Sequence, residues 1–351
     1  MTNHINPNNI IPTPLKEVIG SVSNCMYQSE FCSYSNTDVA TAMVAAAIQN
    51  KSLNAISRSP NSDTDFWRMY NGLTIKNLEP LIKTQRPPKG THIKLLLDGH
   101  NNGFYGKDAL GIVRTKSKMG TNKAFGYLVA FANADPKGVI AIEELFDGSV
   151  TNDSRDMVEE LRKDYPIDLL LADGEFYKAE FVGYLCTGKI PFIMRRTNTG
   201  NIRELGIKYS EPYLYKTDVK RKDGPVIHLM YWIYRYKGKD GDFYLISNMK
   251  KNPKIIRKLF KERWCIETGF REIGRVEIKT TTRDFLIRLF FYIVSCMVYN
   301  IWQKIRFRYS IFTVELDDII DCIKRYIKEL MLSASDILAV WRKRCIRLRI
   351  I

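Results

Sequence analysis

Hydrophobic residues recur at helical spacing through residues 15–81, which predicts a helical first part of the chain. A regular run at 39–49 is followed by two shorter helices, at 52–58 and 65–73, with a turn between them. This order is typical of a helix-turn-helix DNA reader and equally of any small helical bundle. We expect residues 1–88 to form a helical N-terminal DNA-binding domain.

From residue 89 onward the pattern changes to short apolar runs bounded by turn residues, which predict strands. The last two runs, at 167–172 and 190–194, are almost entirely apolar, as in strands that are buried on both faces of a sheet. The predicted strands lie at 92–98, 125–134, 139–146, 167–172 and 190–194, and the predicted helices at 152–165 and 176–187. The order β-β-β-α-β-α-β is that of a ribonuclease H-like core, whose first part we place at 89–195.

The second half of the chain first returns to strands and then to helices. Strands are predicted at 213–219, 226–236 and 242–248, separated by glycine-containing turns, and we expect residues 196–251 to form a β insertion. Residues 252–310 are predicted to form core helices, including a buried helix at 285–305, and 311–351 a basic helical C-terminal region. The expected fold class is therefore α/β, a ribonuclease H-like catalytic core with a β-rich insertion, preceded by a helical DNA-binding domain.

The charge balance narrows the class of partner. The chain has 54 Lys and Arg against 38 Asp and Glu, a formal net charge of +16. Such an excess favours a polyanion, most often nucleic acid, although an anionic membrane surface would also satisfy it. The longest uncharged stretch, 289–303, is too short for a comfortable bilayer span. No signal peptide is evident, and seven scattered cysteines suit a reducing compartment, so we expect a cytoplasmic, nucleoid-associated protein without a membrane.

Two aspartates occupy the ends of apolar strands. Asp98 ends the first predicted strand and precedes a glycine-containing loop, and Asp173 follows the fourth predicted strand. Each alone is more typical of a strand-end turn. If the two strands are neighbours, their carboxyl ends bring Asp98 and Asp173 together, which is where α/β sheets build sites.

A third carboxylate lies on a predicted helix over 256–274. Glu267 falls within an apolar stripe, with Arg263 and Arg271 four residues to either side, so two ordinary i,i+4 ion pairs would also explain it. The other members of the stripe are Ile256, Leu259, Phe260, Trp264 and Phe270. An ionised carboxylate facing a core costs several kcal/mol unless it is paired or holds a metal.

Three clustered carboxylates would repel one another and need a cation. Hard oxygen ligands without thiolates or paired imidazoles favour Mg²⁺ or Mn²⁺ over zinc. Two such ions, roughly 4 Å apart, can activate a water or a 3′-hydroxyl and stabilise the leaving oxygen of an in-line phosphoryl transfer. We expect Asp98, Asp173 and Glu267 to bind two Mg²⁺ or Mn²⁺ ions.

The segments 98–107, 172–177 and 263–267 resemble the DDE transposases of bacterial and archaeal insertion sequences, in particular the group with a Tyr-Arg-Glu-Lys signature and a β insertion. The resemblance implies a ribonuclease H-like core, the three acids as metal ligands, and cut-and-paste transposition on terminal inverted repeats. It also implies two strand-breaking and strand-joining reactions, in which water and then the freed 3′-hydroxyl attack phosphodiesters. Because two element ends must be joined, we expect a homodimer on paired ends of double-stranded DNA.

The chain departs from this signature around the acids. Phe260 stands at the tyrosine position, and Gly274 at the lysine position, where Arg275 or Lys279 could substitute. The second acid is followed by Gly-Glu-Phe-Tyr where the group usually has Arg-Gly-Phe-Tyr. All three acids are intact, so we expect activity. The altered flanks affect the expected contacts to DNA phosphates.

Candidate DNA contacts are basic residues near the acids and one aromatic residue that could stack on an unpaired base. They are Lys107, Arg195, Arg196, Trp232, Arg263, Arg271, Arg275 and Lys279. A solvated charge, or simple packing for Trp232, is the ordinary alternative for each. His100, beside Asp98, is a weaker candidate ligand or base. The rival functions are a ribonuclease H-like nuclease or resolvase that does not join strands, and a non-catalytic DNA-binding relative.

Overall fold

The structure is a computed structural model. It describes residues 12–27, 35–56, 70, 72–118, 120–145, 150–196, 202, 204–221, 224–239, 241–308, 320–321 and 324–325. The chain divides into two compact units. The helical unit consists of Met1–Thr84, Glu272–Thr282 and Leu286–Ile351, and the sheet unit of Gln85–Arg271 and Arg283–Phe285.

The elements follow one another in the predicted sequence of helices, strands and helices. The first four helices are α1 (Pro12–Cys25), α2 (Asn36–Ile48), α3 (Leu53–Ile56) and α4 (Ile75–Lys83). The strands are β1 (Ile93–Gly103), β2 (Ile112–Lys118), β3 (Thr121–Asn133), β4 (Gly138–Glu144), β5 (Ile167–Ala172), β6 (Phe192–Arg196), β7 (Tyr213–Arg221), β8 (Gly224–Gly238) and β9 (Gly241–Ser247). The remaining helices are α5 (Thr151–Asp164), α6 (Ala179–Thr187), α7 (Pro253–Lys261), α8 (Trp264–Ile273) and α9 (Phe285–Arg308), with short 3₁₀ turns at Gly174–Phe176 and Gly274–Val276.

In the helical unit, α1 and α2 pack together through apolar residues such as Val18, Val22, Val44 and Ala47, which are 0% exposed. The capping box of Ser35 with Asp38 starts α2. The predicted helix-turn-helix falls on 52–73, of which 57–69 and 71 lie outside the described residues. Most of the predicted basic region 311–351 also lies outside them.

Helix α9 confirms the predicted buried core helix. Among the described residues it is the one helix long and apolar enough to cross a membrane, but 89% of its most apolar window is buried inside the structure. The core helix of a globular protein passes the same test of length and composition, so α9 is read as a core element.

The sheet has nine strands in the order β2-β3-β1-β5-β6-β9-β8-β7, with β4 paired to β3. β1, β5 and β6 are parallel neighbours, and the other pairings are antiparallel. The hydrophobic pattern did not predict β2, because this strand is mostly polar, Ile-Val-Arg-Thr-Lys-Ser-Lys. The strands predicted for the insertion, β7 to β9, continue the core sheet, since β9 pairs with β6.

The register assigns alternate residues of each strand to the two faces of the sheet. One face packs against α5 and α6 in a core that includes Leu97, Ala172 and Met194. The opposite face, called here the site face, carries Leu96, Leu171 and Ile193 in one lateral row. Asp98, Asp173 and Arg195 are each two residues further along the sequence. The register therefore places all three next to one another on the site face.

The predicted single helix over 256–274 is wrong, because the chain breaks into α7 and α8 at Glu262 and Arg263. The break changes the helical phase. Trp264, expected in the apolar stripe, is 64% exposed, whereas Ile266 is fully buried. The two residues at the break make polar contacts with the sheet, and these contacts define the candidate site.

Candidate active site

The two aspartates meet because their strands are paired in parallel. Leu97 of β1 is aligned with Ala172 of β5, and Ala172 with Met194 of β6. Asp98, Asp173 and Arg195 are the residues that follow these three. The carboxyl ends of neighbouring parallel strands are the usual position for catalytic groups in such sheets.

Each aspartate is oriented by the amide of the residue after it. Asp98 Oδ1 accepts a hydrogen bond from the Gly99 N–H at 3.0 Å, and Asp173 Oδ1 accepts one from the Gly174 N–H at 2.7 Å. The second bond also caps the 3₁₀ turn at Gly174–Phe176. The amides thereby hold one oxygen of each carboxylate in place.

Helix α8 brings the third acid to the same place through Arg263. The Arg263 Nη1 atom donates to Asp98 Oδ2 at 3.2 Å, and its Nη2 atom donates to Glu267 Oε1. The Arg263 side chain is only 11% exposed. The i,i+4 ion pair considered from sequence exists, but the same arginine also binds Asp98, so it joins the helix to the sheet.

All of these groups affect the pKa of the Asp98 carboxyl. Burial raises its pKa to about 6, against the opposing effect of the Arg263 guanidinium and the Gly99 amide. The negative charges of Asp173 and Glu267 raise the pKa further. The three acids are therefore electrostatically coupled, and Arg263 supplies the cation between two of them.

Glu262, at the break before α8, binds a residue at the start of β1. Lys94 Nζ donates to both of its carboxylate oxygens, at 2.9 and 2.7 Å, and Asn133 Nδ2 donates at 3.1 Å. Lys94 and Asn133 are cross-strand partners in β1 and β3. Consecutive residues, Glu262 and Arg263, thus hold the start of α8 at two points along β1, near Lys94 and Asp98.

The acids fit a divalent cation by the chemistry of their donors. They offer hard carboxylate oxygens, which Mg²⁺ and Mn²⁺ prefer. No group of three His, Cys, Asp or Glu side chains within the described part of the chain is arranged closely enough to hold a metal ion. Arg263 stands in for the cation here, because its guanidinium bridges Asp98 and Glu267.

Four of the candidate DNA contacts belong to the sheet unit. Lys107 is exposed in the loop after β1, and Arg195 is exposed at the end of β6 beside Gly174. Arg271 is exposed near the end of α8. Trp232 is half-buried in β8, with Lys250 Nζ 5.0 Å from the centre of its ring.

Arg196 has a different environment from the one expected. Its guanidinium lies 4.8 Å from the ring centres of Tyr177 and Tyr215 and 5.8 Å from that of Tyr231, and it donates to the Tyr231 hydroxyl. Tyr177 and Tyr231 are hydrogen-bonded to each other at 2.7 Å. The structure therefore gives Arg196 a packing role among three tyrosines.

The last two candidates, Arg275 and Lys279, belong to the helical unit. There Arg275 pairs with Glu272 at 2.7 Å, and Lys279 with Glu277 at 2.8 Å. His100, the weaker candidate, packs on Phe270 with ring centres 4.9 Å apart.

Sequence reasoning missed Lys94 and Glu262. The sequence contained a signal for Lys94, because this charged residue interrupts an apolar strand and lies on the same strand face as Leu96 and Asp98. It also missed Glu175, whose carboxylate lies beside Gly99, the residue after Asp98 in β1. A Cβ added to Gly99 would lie 3.9 Å from Glu175 Oε2.

Comparison with known proteins finds similarity both to a sequence family and to solved structures. The family described as "Transposase DDE domain" matches residues 100–301, a range that contains Asp173 and Glu267 and begins two residues after Asp98. The structure is similar to a cryo-EM structure of a piggyBac transposase synaptic complex with hairpin DNA, with a TM-score of 0.59 and 14% sequence identity. That match covers 93% of this chain and 80% of the other, and it supports the fold alone. No curated protein matches the sequence.

Proposed function

The chain belongs to the transposase DDE-domain family and is a DDE transposase, and from this premise we propose that Asp98, Asp173 and Glu267 are its three catalytic acids. The observation that carries the assignment is their convergence. Two acids lie directly after the last aligned pair of two neighbouring parallel strands, Leu97 and Ala172, and the third is held to the first by Arg263. The coupling of Asp98 to both other acids supports the same grouping.

Transposases with a DDE domain generally use divalent metal ions. We propose that the three acids hold two Mg²⁺ or Mn²⁺ ions, which would activate the attacking oxygen and stabilise the leaving one. Arg263 would then exchange its bonds to Asp98 and Glu267 for a DNA phosphate, a partner that suits a planar guanidinium.

The proposed reaction has two steps at this site. Water attacks the phosphorus at the element's end, the bond from phosphorus to the 3′ oxygen breaks, and a 3′-hydroxyl is released. That hydroxyl then attacks a target phosphodiester, forming a new phosphorus–oxygen bond and releasing the target strand's own 3′-hydroxyl. The acids position the reacting oxygens, and no covalent protein–DNA intermediate is required.

The proposed partner is double-stranded DNA carrying terminal inverted repeats, and the proposed assembly is a homodimer on paired ends. Lys107, Arg195, Arg271 and Trp232 would contact the DNA near the acids, and Arg275 and Lys279 remain proposed contacts from the helical unit. We also propose that 1–88 binds the element ends, and that the protein acts in the cytoplasm with the nucleoid.

The test is a cleavage and strand-transfer assay on duplexes copied from the DNA flanking the reading frame. Asp98→Asn, Asp173→Asn and Glu267→Gln should each abolish Mg²⁺-dependent cleavage and joining. Asp168→Asn is the matched control. It makes the same substitution in β5, the strand that leads to Asp173, at a carboxylate that is 51% exposed and lies outside the proposed site. Nicking without joined product by the unaltered protein would favour a nuclease, and binding without cleavage a non-catalytic relative. Full cleavage by Glu267→Gln would refute the three-acid site.

A further inference from the structure

Helix α7, which precedes the break at Glu262, has one strongly basic side. Its sequence, Pro-Lys-Ile-Ile-Arg-Lys-Leu-Phe-Lys, contains four cations and no acid. Lys254, Arg257, Lys258 and Lys261 are all exposed, whereas Ile256 is fully buried. Residues spaced by three, four and seven positions share one side of a helix, so these four cations form a single stripe.

The acids around this helix are already engaged. Asp242 accepts from Arg235, and Glu262, directly after the helix, binds Lys94. Among the described residues none of the four stripe cations has an ion-pair partner. A surface that keeps four uncompensated cations side by side repels itself unless a polyanion covers it.

A pocket of about 220 Å³ opens at the start of the helix. It is lined by Tyr209, Arg235, Tyr236, Lys237, Pro253, Lys254 and Arg257. The Arg257 guanidinium lies 5.7 Å from the ring centre of Tyr236 and 5.8 Å from that of Phe243. Cations beside aromatic rings suit a phosphodiester with its attached sugar.

The other end of the helix leads to the acids. Glu262 and Arg263 follow Lys261 directly, and Arg263 binds Asp98. At the start, the Tyr236 hydroxyl donates to the Pro253 carbonyl at 2.7 Å and ties the helix to β8. Lys254 and Lys261 are seven residues apart, so at 1.5 Å per residue the stripe is about 10 Å long, the axial rise of roughly three nucleotides along one strand of duplex DNA.

We propose that the exposed side of α7, with the pocket at its start, is a DNA-backbone-binding track that leads the substrate strand to Asp98, Asp173 and Glu267. The track rests on the proposed function, because it requires DNA to reach those acids. It goes beyond that function by assigning phosphate contacts to Lys254, Arg257, Lys258 and Lys261. Its ligand is the phosphodiester backbone, without preference for base sequence.

The salt dependence of DNA binding tests the track. The full chain is titrated in EDTA, so that no cleavage occurs, against a duplex of about 30 base pairs, long enough for several phosphate contacts. Lys254→Gln/Lys258→Gln should reduce the slope of log K against log salt by about 2, since each lost phosphate contact contributes roughly 0.9. The matched control is Lys163→Gln/Lys189→Gln, which removes the same charge from the end of α5 and from the turn after α6, on the opposite face of the sheet. The slope of this control should equal that of the unaltered protein.

An equal fall in both double variants would mean that only net charge matters, and an unchanged slope in both would place the DNA elsewhere. Either result overturns the track. The proposal is also refuted if Lys254→Gln/Lys258→Gln binds DNA normally and loses affinity only for vesicles of anionic lipid. Circular dichroism checks that each variant is folded. Asp98→Asn provides the independent check of the proposed function, because it should bind DNA with the same slope and fail only in cleavage.

Discussion

Glu262→Gln removes the charge that ties the start of α8 to the start of β1. The Glu262 carboxylate lies 2.7 Å from Lys94 Nζ, with side chains 29% and 35% exposed. At that distance a pair of unit charges in water is worth about 1.5 kcal/mol, and partial burial increases this while side-chain ordering offsets it. We expect the free energy of unfolding to fall by about 1–2 kcal/mol.

The effect on catalysis should exceed the effect on stability. Glu262 precedes Arg263, and α8 carries Glu267 four residues later, so a looser start moves two groups of the site together. Displacements on the scale of 1 Å can cost about a hundredfold in rate, and we expect kcat for DNA cleavage at saturating Mg²⁺ to fall at least roughly tenfold. Lys94→Glu combined with Glu262→Lys restores the opposite charges and should recover most of the activity.

Glu160→Gln is the matched control. It removes the same charge from an ion pair with Arg86, 3.2 Å apart, on helix α5 at the opposite face. Both variants are measured by thermal unfolding and by the cleavage assay. If Glu262→Gln lowers stability and leaves kcat unchanged, the contact is purely structural and the reasoning fails. If the charge-reversed pair stays inactive, Glu262 acts through something other than Lys94.

Three further predictions concern titration, the tyrosine cluster and helix packing. In metal-free protein, Asp98 keeps a proton up to about pH 6 that the unfolded chain releases near its usual value of 3.8, so the free energy of unfolding should fall as pH rises from about 4 to 6. Asp98→Asn should remove this decline, as measured by urea denaturation across pH in EDTA, and a decline equal to that of the unaltered protein would contradict the assignment. Arg196→Gln should lower the free energy of unfolding by about 1–3 kcal/mol, through its lost contacts with three tyrosines, and leave the salt slope of DNA binding unchanged. Gly183→Val should cost about 1–3 kcal/mol, because a Cβ there would lie 2.7 Å from Ile227 Cγ2, whereas Gly20→Ala, with nothing within 4 Å, should be neutral or stabilising.

Local pattern predicted most elements of the sheet unit. The strand expected at 167–172 is β5 at the same residues, and the buried helix expected at 285–305 is α9, Phe285–Arg308. Such elements are readable because burial imposes a period of two on strands and 3.6 on helices. β2 was missed because it is mostly polar. The break between α7 and α8 was missed because Glu262 and Arg263 are compatible with a continuous helix and are held instead by distant strands.

The sequence by itself determined that Asp98 and Asp173 follow apolar strand segments and that Glu267 lies on an amphipathic helix near an arginine. Only the tertiary structure decided which groups they meet. Arg263 binds Asp98 across 165 positions of sequence, and Lys94 binds Glu262 across 168. Periodicity reports which side of an element is buried, but strand order and register select the partner, and both depend on the packing of the whole sheet unit.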